Sequence, residues 1–551
     1  MLTITLFCLL VHILKCESTQ LADPIVTLQD GSLKGTIGKN YDGDDFYKFF
    51  GIPYAKPPIN DLRFLPPVSA DPWKGIRDAS NVGSDCLSRD EFQPTKIVGD
   101  EDCLYLNVFT KNLPKNNTSL KPVMVFIYGG GLTAGSSRPG IYGPEFLMLK
   151  DIVLVTFNYR IGALGFLNSD DPKLGVFGNM GLKDQNLALK WVQQNIQHFN
   201  GDPNDVTIFG HSAGSASVHA HVLSPASNGL FHKAIMQSGS AINSWFWGAK
   251  NMAVELISKT GKIASTNQEA LGILRNMSAL DIFEAQQKIY DSPYPSERRP
   301  FAAVIELPND SAFLTENPIE ALMNKHHNDV PIMMGYTQNE GMLLDADRRA
   351  TEKAGITLPK FSFENIIPHE LNISKGSNES GIIRDILWKL YSDKPDSDRY
   401  DKMTDGYFLV GIMEGLKLHL KSATKPIYLY RVSLTGELNR LKYLMNRTHE
   451  FGVCHGDELG YLFSADITPP VTPDSLEDCS IRHFVELWTN FAIHGNPTQN
   501  TKSGEAWEPV QKDNIKVYDI GKISKMTVPP EVNRLEVWRK ILKTWPLVDF
   551  N

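Results

Sequence analysis

Short apolar runs rich in β-branched and aromatic residues alternate with stretches of helical spacing along most of this chain. Val123 to Tyr128, Ile152 to Phe157, Val206 to Phe209, Val330 to Met334 and Ile427 to Arg431 each have the length and composition of a buried strand. Leu182 to His198 instead carries helical spacing, with Leu187, Trp191 and Ile196 on or near one face. Strands alternating with helices predict an α/β sheet. The stretch from Gly355 to Gly381, with its Pro, Gly and Asn residues, reads as a long surface excursion within the same domain. No internal repeat or low-complexity tract divides the chain.

The strand at Val206 runs into Gly210-His211-Ser212-Ala213-Gly214, a GxSxG pattern followed by the helix-compatible Ser-Ala-Ser-Val-His-Ala. Five residues match this pattern often by chance. The strand before it and the helix after it make it a nucleophile elbow, with Ser212 on a sharp turn and its hydroxyl exposed. A serine hydroxyl is barely ionised at neutral pH, so a base must take its proton and fixed donors must receive charge on the substrate oxygen. Tyr128-Gly129-Gly130-Gly131-Leu132 follows another predicted strand. Its glycines let backbone amides face a cavity, and Gly130, Gly131 and the amide of Ala213 are the expected oxyanion donors.

His455, in the glycine-flanked Gly452 to Leu459 segment, is the candidate base, and Glu340, just past the Val330 to Met334 strand, is the candidate acid, with Asp457 held in reserve. Taken singly, a histidine is more often structural and a glutamate before glycine a solvated turn. The order Ser, acid, His, each member just beyond a strand, gathers all three at the carboxyl edge of one sheet. Other histidines offer less. His326 and His327 sit in a polar, surface-like run, and His219 and His221 are two apart on a predicted helix, facing away from each other. No spacing suited to a metal and no phosphate-binding glycine loop occurs, so the chemistry calls for no cofactor.

With 551 residues, 42% of them apolar, the chain can bury the core of one large domain, although the length prior is roughly 150 residues per domain. A net charge of -8 disfavours nucleic acid as a partner. Leu2 to Leu14 is apolar but too short to span a bilayer, and it leads to Cys16-Glu17-Ser18. Residues 1–18 therefore read as a signal peptide and 19–551 as the mature, secreted domain without a membrane anchor. No Lys or Arg precedes the apolar run, which leaves an uncleaved signal anchor as the alternative.

Outside the signal the cysteines are Cys86, Cys103, Cys454 and Cys479, which allow three pairings. Cys86 and Cys103 can close a short polar loop, as in an oxidised secreted protein, and Cys454 and Cys479 either pair or stay free. Asn116, Asn117, Asn276, Asn309, Asn372, Asn378 and Asn446 are glycosylation acceptors by sequence, the first two too close for joint use.

Together these motifs resemble the type-B carboxylesterases, the cholinesterase and carboxylesterase family, over nearly the whole mature length. Glu101 to Val108 is similar to that family's second signature and Phe199 to Gly214 to its first. Asn158-Tyr159-Arg160, Asn179 to Gln185 and Gln237 to Ser240 are similar to further landmarks. The details most resemble secreted insect carboxylesterases, including venom carboxylesterases and juvenile hormone esterases. The resemblance implies an α/β-hydrolase fold with a large, mostly parallel central sheet flanked by helices. It implies that Ser212, Glu340 and His455 are nucleophile, acid and base, that Ser238 is a hydroxyl close to the triad, and that Cys86 and Cys103 form the family's first disulfide. It further implies a small-molecule ester substrate, cleaved to acid and alcohol through an acyl-enzyme.

Departures from the family pattern narrow that substrate. Cholinesterases hold a quaternary ammonium against a tryptophan in the first disulfide loop, but Cys86 to Cys103 contains no Trp or Tyr. His211 stands where the family usually has Glu or Gln, which removes an anion that could attract cations and could alter the pH profile. Tyr128, Leu132 and Asn200 replace a usual His, Phe and Gly. Trp245, Phe246 and Trp247 lie where the family has its acyl-pocket wall, and suggest an apolar acyl group; ordinary core aromatics account for them equally well. These features favour uncharged or moderately polar esters over choline esters. Two other readings remain: slow-turnover scavenging of organophosphate or insecticidal esters, and a non-catalytic cholinesterase-like adhesion protein.

Overall fold

Each apolar run becomes a strand of one sheet in the computed structural model, which describes residues 23–547 apart from 91, 92, 94, 116–118, 291–297, 354–360, 393–398 and 500–504. The proposed signal segment and the acceptors Asn116 and Asn117 lie outside the described residues. In chain order the strands of this sheet are β1 (Thr36–Lys39), β2 (Asp45–Pro53), β3 (Tyr105–Thr110), β4 (Lys121–Ile127) and β5 (Val153–Phe157). They continue with β6 (Gly201–His211), β7 (Lys233–Gln237), β8 (Ile332–Thr337), β9 (Ile427–Val432), β10 (Val517–Ile520) and β11 (Lys525–Thr527). Their spatial order is β1-β2-β3-β5-β4-β6-β7-β8-β9-β10-β11. The block from β5 to β10 is parallel throughout, and the edges are antiparallel.

The parallel block is apolar because helices cover both of its faces, so neither face of a central strand meets water. Val123 to Ile127 and Ile332 to Tyr336 are buried without interruption. Register runs one-to-one from Val206 opposite Val123 to Gly210 opposite Ile127, which fixes the end of β6 level with the end of β4. That alignment brings the Gly129 to Gly131 loop beside Ser212.

The helix expected at Leu182 to His198 is α1 (Met180–Asn195), with a 3-10 turn at Ile196–Phe199. It is buried nearly all round, and Leu187, expected to face the core, is only partly so. The reason is that its polar residues find partners inside. Asp184 takes a two-pronged ion pair from Arg160 at 2.7 and 2.8 Å, Lys183 meets Glu306 at 2.6 Å, and Gln185 Oε1 accepts from His221 Nε2 at 3.0 Å. Buried charge is tolerated only where it is paired in this way.

The surface excursion is less superficial than expected. Residues from 361 onward form 3-10 turns at Phe363–Ile366 and His369–Leu371 and then a helix at Asn378–Tyr391. Ile366, Ile367 and Leu371 are buried and pin it down. The histidines are also more embedded than their neighbourhoods suggested. His219 binds Ser240 at 3.0 Å and His419 at 3.1 Å, His327 meets His419 edge-on, and burial pushes His219 down to about 3. His326 alone keeps its surface role, against Glu316.

Asn200, in place of the signature glycine, has φ +68°, and both polar atoms of its buried side chain lack a partner among the described residues. Asparagine tolerates this left-handed backbone better than most residues, but glycine meets no penalty there. Asn200→Gly is expected to stabilise the protein by about 1 kcal/mol, less than the ~1–3 kcal/mol of an unsatisfied buried amide because a small void remains. Chemical denaturation of the two proteins side by side measures it, and a destabilised variant contradicts it.

Candidate active site

β6 ends at His211, and helix α2 (Ala213–Leu223) starts two residues later, leaving Ser212 alone to make the turn. Its backbone sits at φ 58°, ψ -122°, a conformation that L residues rarely adopt and that projects the side chain from the edge of the sheet. Both flanking glycines are required by close packing. A Cβ on Gly214 would lie 2.0 Å from the Ile127 carbonyl, and one on Gly210 2.6 Å from the Gly214 carbonyl. The turn is tied down by Ser212 donating its amide to Gln237 at 2.8 Å.

The glycine loop lies against this elbow, since a Cβ on Gly129 would meet the His211 carbonyl at 2.7 Å and Ser212 Cβ at 2.9 Å. Gly130 is exposed, Gly131 partly buried and Ala213 buried at the first position of α2, where a helix has no internal acceptor for its amide. Tyr128 holds the base of the loop: its ring stacks on Tyr159 at 4.4 Å, and Tyr159 donates its hydroxyl to the Tyr128 carbonyl at 2.8 Å.

Glu340 and His455 meet. Glu340 Oε2 lies 2.5 Å from His455 Nδ1, and Glu340 Oε1 accepts the Thr337 amide at 2.8 Å. Their loops are laced together where Asn339 donates to the Val453 carbonyl at 2.8 Å. With Nδ1 engaged, His455 Nε2 is left buried and without a partner among the described residues. Asp457, the reserve acid, does different work. Its carboxylate accepts the amides of Cys454 and Lys442 and the Asn439 side chain, at 2.7 to 3.0 Å, and so shapes the loop that carries His455.

Ser238 follows β7 with φ 58°, and its buried hydroxyl has no partner among the described residues. Its neighbour Gly239 packs on Ser212, because a Cβ there would lie 2.4 Å from the Ser212 carbonyl. Cys86 and Cys103 are disulfide-bonded with Cα atoms 4.9 Å apart, whereas Cys454 is buried and free and Cys479 exposed and free. Asn276, Asn372, Asn378 and Asn446 are exposed and Asn309 partly so.

Three neighbours of the site went unnoticed in the sequence. Phe408 lies 4.6 Å from the His455 ring, carried on a π-helical segment, Thr404–Leu409. On its other side it faces Trp245 at 6.1 Å, which brings part of the tryptophan cluster to the base; Phe246 and Trp247 are buried behind. Arg299 lies on Gly131. The third is Glu458, fully buried, which accepts from Gln237 at 3.3 Å. His211 packs its ring 4.4 Å from that of His455. Burial first, then the positive charge of His455 and Arg440, holds His211 well below its ordinary value. It therefore stays neutral at neutral pH and brings no ionisation of its own to that range.

Burial, and then the charge of Glu340, pushes Glu458 up to about 8. An unfolded glutamate ionises near 4.5, so from there to about 8 the folded protein keeps a proton that the unfolded chain has lost. The stability this group contributes is fully present below the lower value and is lost as pH rises through the upper one. Glu458→Gln is expected to remove this loss, so that its melting temperature relative to the parent rises between pH 5 and pH 8. A gap that stays constant over that range contradicts the assignment.

A strand-turn-helix elbow on a mostly parallel sheet, with a glycine loop and a carboxylate-imidazole pair at the same edge, is the architecture of an α/β hydrolase. Comparison with known proteins narrows the class: residues 22–538 match the model of the carboxylesterase family, and the chain belongs to that family as a carboxylic ester hydrolase. It is 36% identical to a juvenile hormone esterase of Tribolium castaneum over 86% of this chain and 84% of that protein. It is 34% identical to esterase FE4 of Myzus persicae, over 95% and 93%. Its fold matches the crystal structure of juvenile hormone esterase from Manduca sexta, with OTFP covalently attached, at a TM-score of 0.83 and 27% identity, covering 95% of this chain and 100% of that one.

Among the described residues no helix is long and apolar enough to cross a membrane, and no group of three or more His, Cys, Asp or Glu residues is arranged to hold a metal.

Proposed function

We propose that the chain is a secreted serine carboxylesterase, a signal peptide followed by a single catalytic domain, that cleaves carboxylic esters through an acyl-enzyme on Ser212. The observation that carries this reading is the Glu340 to His455 contact at the edge of the sheet that also bears the elbow. An imidazole whose Nδ1 is engaged by a carboxylate presents Nε2 as a base. His455 takes the Ser212 proton as the hydroxyl attacks the ester carbonyl, and Glu340 stabilises the imidazolium. Gly130, Gly131 and Ala213 donate to the oxyanion, each donor being worth roughly 100- to 1000-fold in rate. His455 then protonates the leaving alcohol, water attacks the acyl-enzyme with His455 again as base, and the acid is released.

The substrate is a small ester other than a choline ester, since the Cys86 to Cys103 loop offers no Trp or Tyr and His211 is neutral where an anion would attract a cation. Oxidising surroundings suit the Cys86–Cys103 disulfide, and the exposed acceptors at Asn276, Asn372, Asn378 and Asn446 suit glycosylation in the secretory pathway. Reaction with a fluorophosphonate probe, digestion and mass spectrometry test the reading. The expected adduct is on Ser212, together with turnover of naphthyl esters; a probe adduct elsewhere, or none, overturns it.

A further inference from the structure

Arg299 is a site neighbour whose charge the hydrolytic steps do not use. A Cβ on Gly131 would lie 2.8 Å from its Nη1 and 2.9 Å from its Nη2, so the guanidinium rests directly on the glycine loop. The backbone of Arg299 is fixed to the tryptophan cluster: it bridges Gly248 and accepts the Ala249 amide at 2.7 Å, while Ala303 donates to the Phe246 carbonyl at 3.1 Å. The side chain is therefore held in place at the root. Yet among the described residues no carboxylate pairs with it. The group that acts on it is the Tyr290 hydroxyl, and burial rather than any anion dominates the guanidinium's environment, lowering its pKa.

A partly buried guanidinium with no counter-ion among the described residues has lost some of its hydration and gained nothing in return, a state proteins seldom keep without a ligand. Its five N–H donors form a rigid fork that fits the two oxygens of a carboxylate. Its position also says which half of the substrate it meets. The leaving alcohol must face His455, which protonates it, and His455 is walled by Phe408 and His211. Arg299 lies instead on Gly131, with its backbone joined to Gly248 and Ala249 just past the tryptophan cluster, so the acyl half of the ester is assigned to it.

Resting on the esterase reading above, we infer that Arg299 is a specificity residue that binds a carboxylate on the acyl chain, so that the preferred substrates are monoesters of dicarboxylic acids. Trp245, the partly exposed member of the tryptophan cluster, then lines the apolar methylene stretch between ester and carboxylate. The apolar acyl group suggested by Trp245, Phe246 and Trp247 alone gains a charged terminus.

The test uses the full-length secreted protein and 1-naphthyl monoesters of glutaric, adipic and pimelic acid, each against the length-matched naphthyl alkanoate. In the parent enzyme the ratio of kcat/KM, monoester over alkanoate, is expected to peak at one chain length. In Arg299→Met that ratio is expected to fall roughly 10- to 100-fold at the peak, the size of a lost hydrogen bond to a charged group. Arg299→Lys, which keeps the charge but not the fork, should retain part of it. Fluorophosphonate labelling of Ser212 in each variant reports an intact site. A labelled Arg299→Met with an unchanged ratio overturns the role of Arg299 and leaves the esterase reading standing. A parent protein that neither labels at Ser212 nor cleaves either series overturns both.

Discussion

Ser212→Ala lowers kcat/KM for naphthyl esters by roughly a million-fold, the loss typical of removing a triad nucleophile, and abolishes the fluorophosphonate adduct. The change should not disturb the fold, because Ser212 serves the elbow through its backbone. Its amide donates to Gln237 and its carbonyl accepts Ala216, and alanine keeps both. The strained φ of 58° persists, since Gly210 and Gly214 are packed too tightly against Ile127 and each other for the turn to relax. The intact glycine loop and α2 amide can still polarise an ester, so activity falls to a residue of about 10³- to 10⁴-fold over water rather than to nothing. Measured kcat/KM with burst kinetics decides: a variant that keeps a tenth of the parent rate has its nucleophile elsewhere. The same experiment separates catalysis from scavenging, because a scavenger would label at Ser212 at full speed while hydrolysing almost nothing even before mutation.

Much of this was legible because parallel strands are buried on both faces. Val123 to Ile127 and Ile332 to Tyr336 carry apolar residues without alternation, and their ends can be read to within a few positions. Residues placed just past those ends, Gly129 to Gly131, Ser212 and Glu340, were therefore legible as well; His455, far beyond β9 in sequence, was legible through its glycine-flanked loop and the order of the three residues. What escaped arrives by tertiary contact from segments with no local signal. Phe408 reaches His455 from a π-helical segment that no periodicity announces. Glu458 looks like any glutamate three residues after a histidine until burial raises its pKa. Arg299 closes the polar run Ser296-Glu297-Arg298-Arg299, and nothing in its spacing marks it. α1 shows the same limit, because its polar residues Lys183, Asp184 and Gln185 point inward only to meet Glu306, Arg160 and His221, which are distant in sequence.

Glu340→Gln is expected to cost about 10⁴-fold in kcat while leaving the melting temperature nearly unchanged. Glutamine has the shape of glutamate, so its carbonyl can keep the Thr337 amide that Oε1 accepts at 2.8 Å. Its other group is then an NH2, which must donate to His455 Nδ1 where Oε2 now accepts at 2.5 Å. That contact forces the tautomer with the proton on Nε2, the nitrogen that must be bare to take the serine proton. It also removes the negative charge opposite the imidazolium that forms in each transition state. Both effects fall on kcat and little on KM. Asp457→Asn should show the reverse, because Asp457 accepts two backbone amides and the Asn439 side chain and touches no catalytic atom. An amide in its place leaves one of those donors facing a donor, so the loop is destabilised by ~1–3 kcal/mol while the tautomer of His455 is still set by Glu340. Steady-state kinetics and thermal melts on the two variants cross: one loses rate without stability, the other stability before rate. If Asp457→Asn instead loses rate as steeply as Glu340→Gln and without unfolding, the acid has been misassigned, and the short contact between Glu340 and His455 must then serve to hold the loop alone.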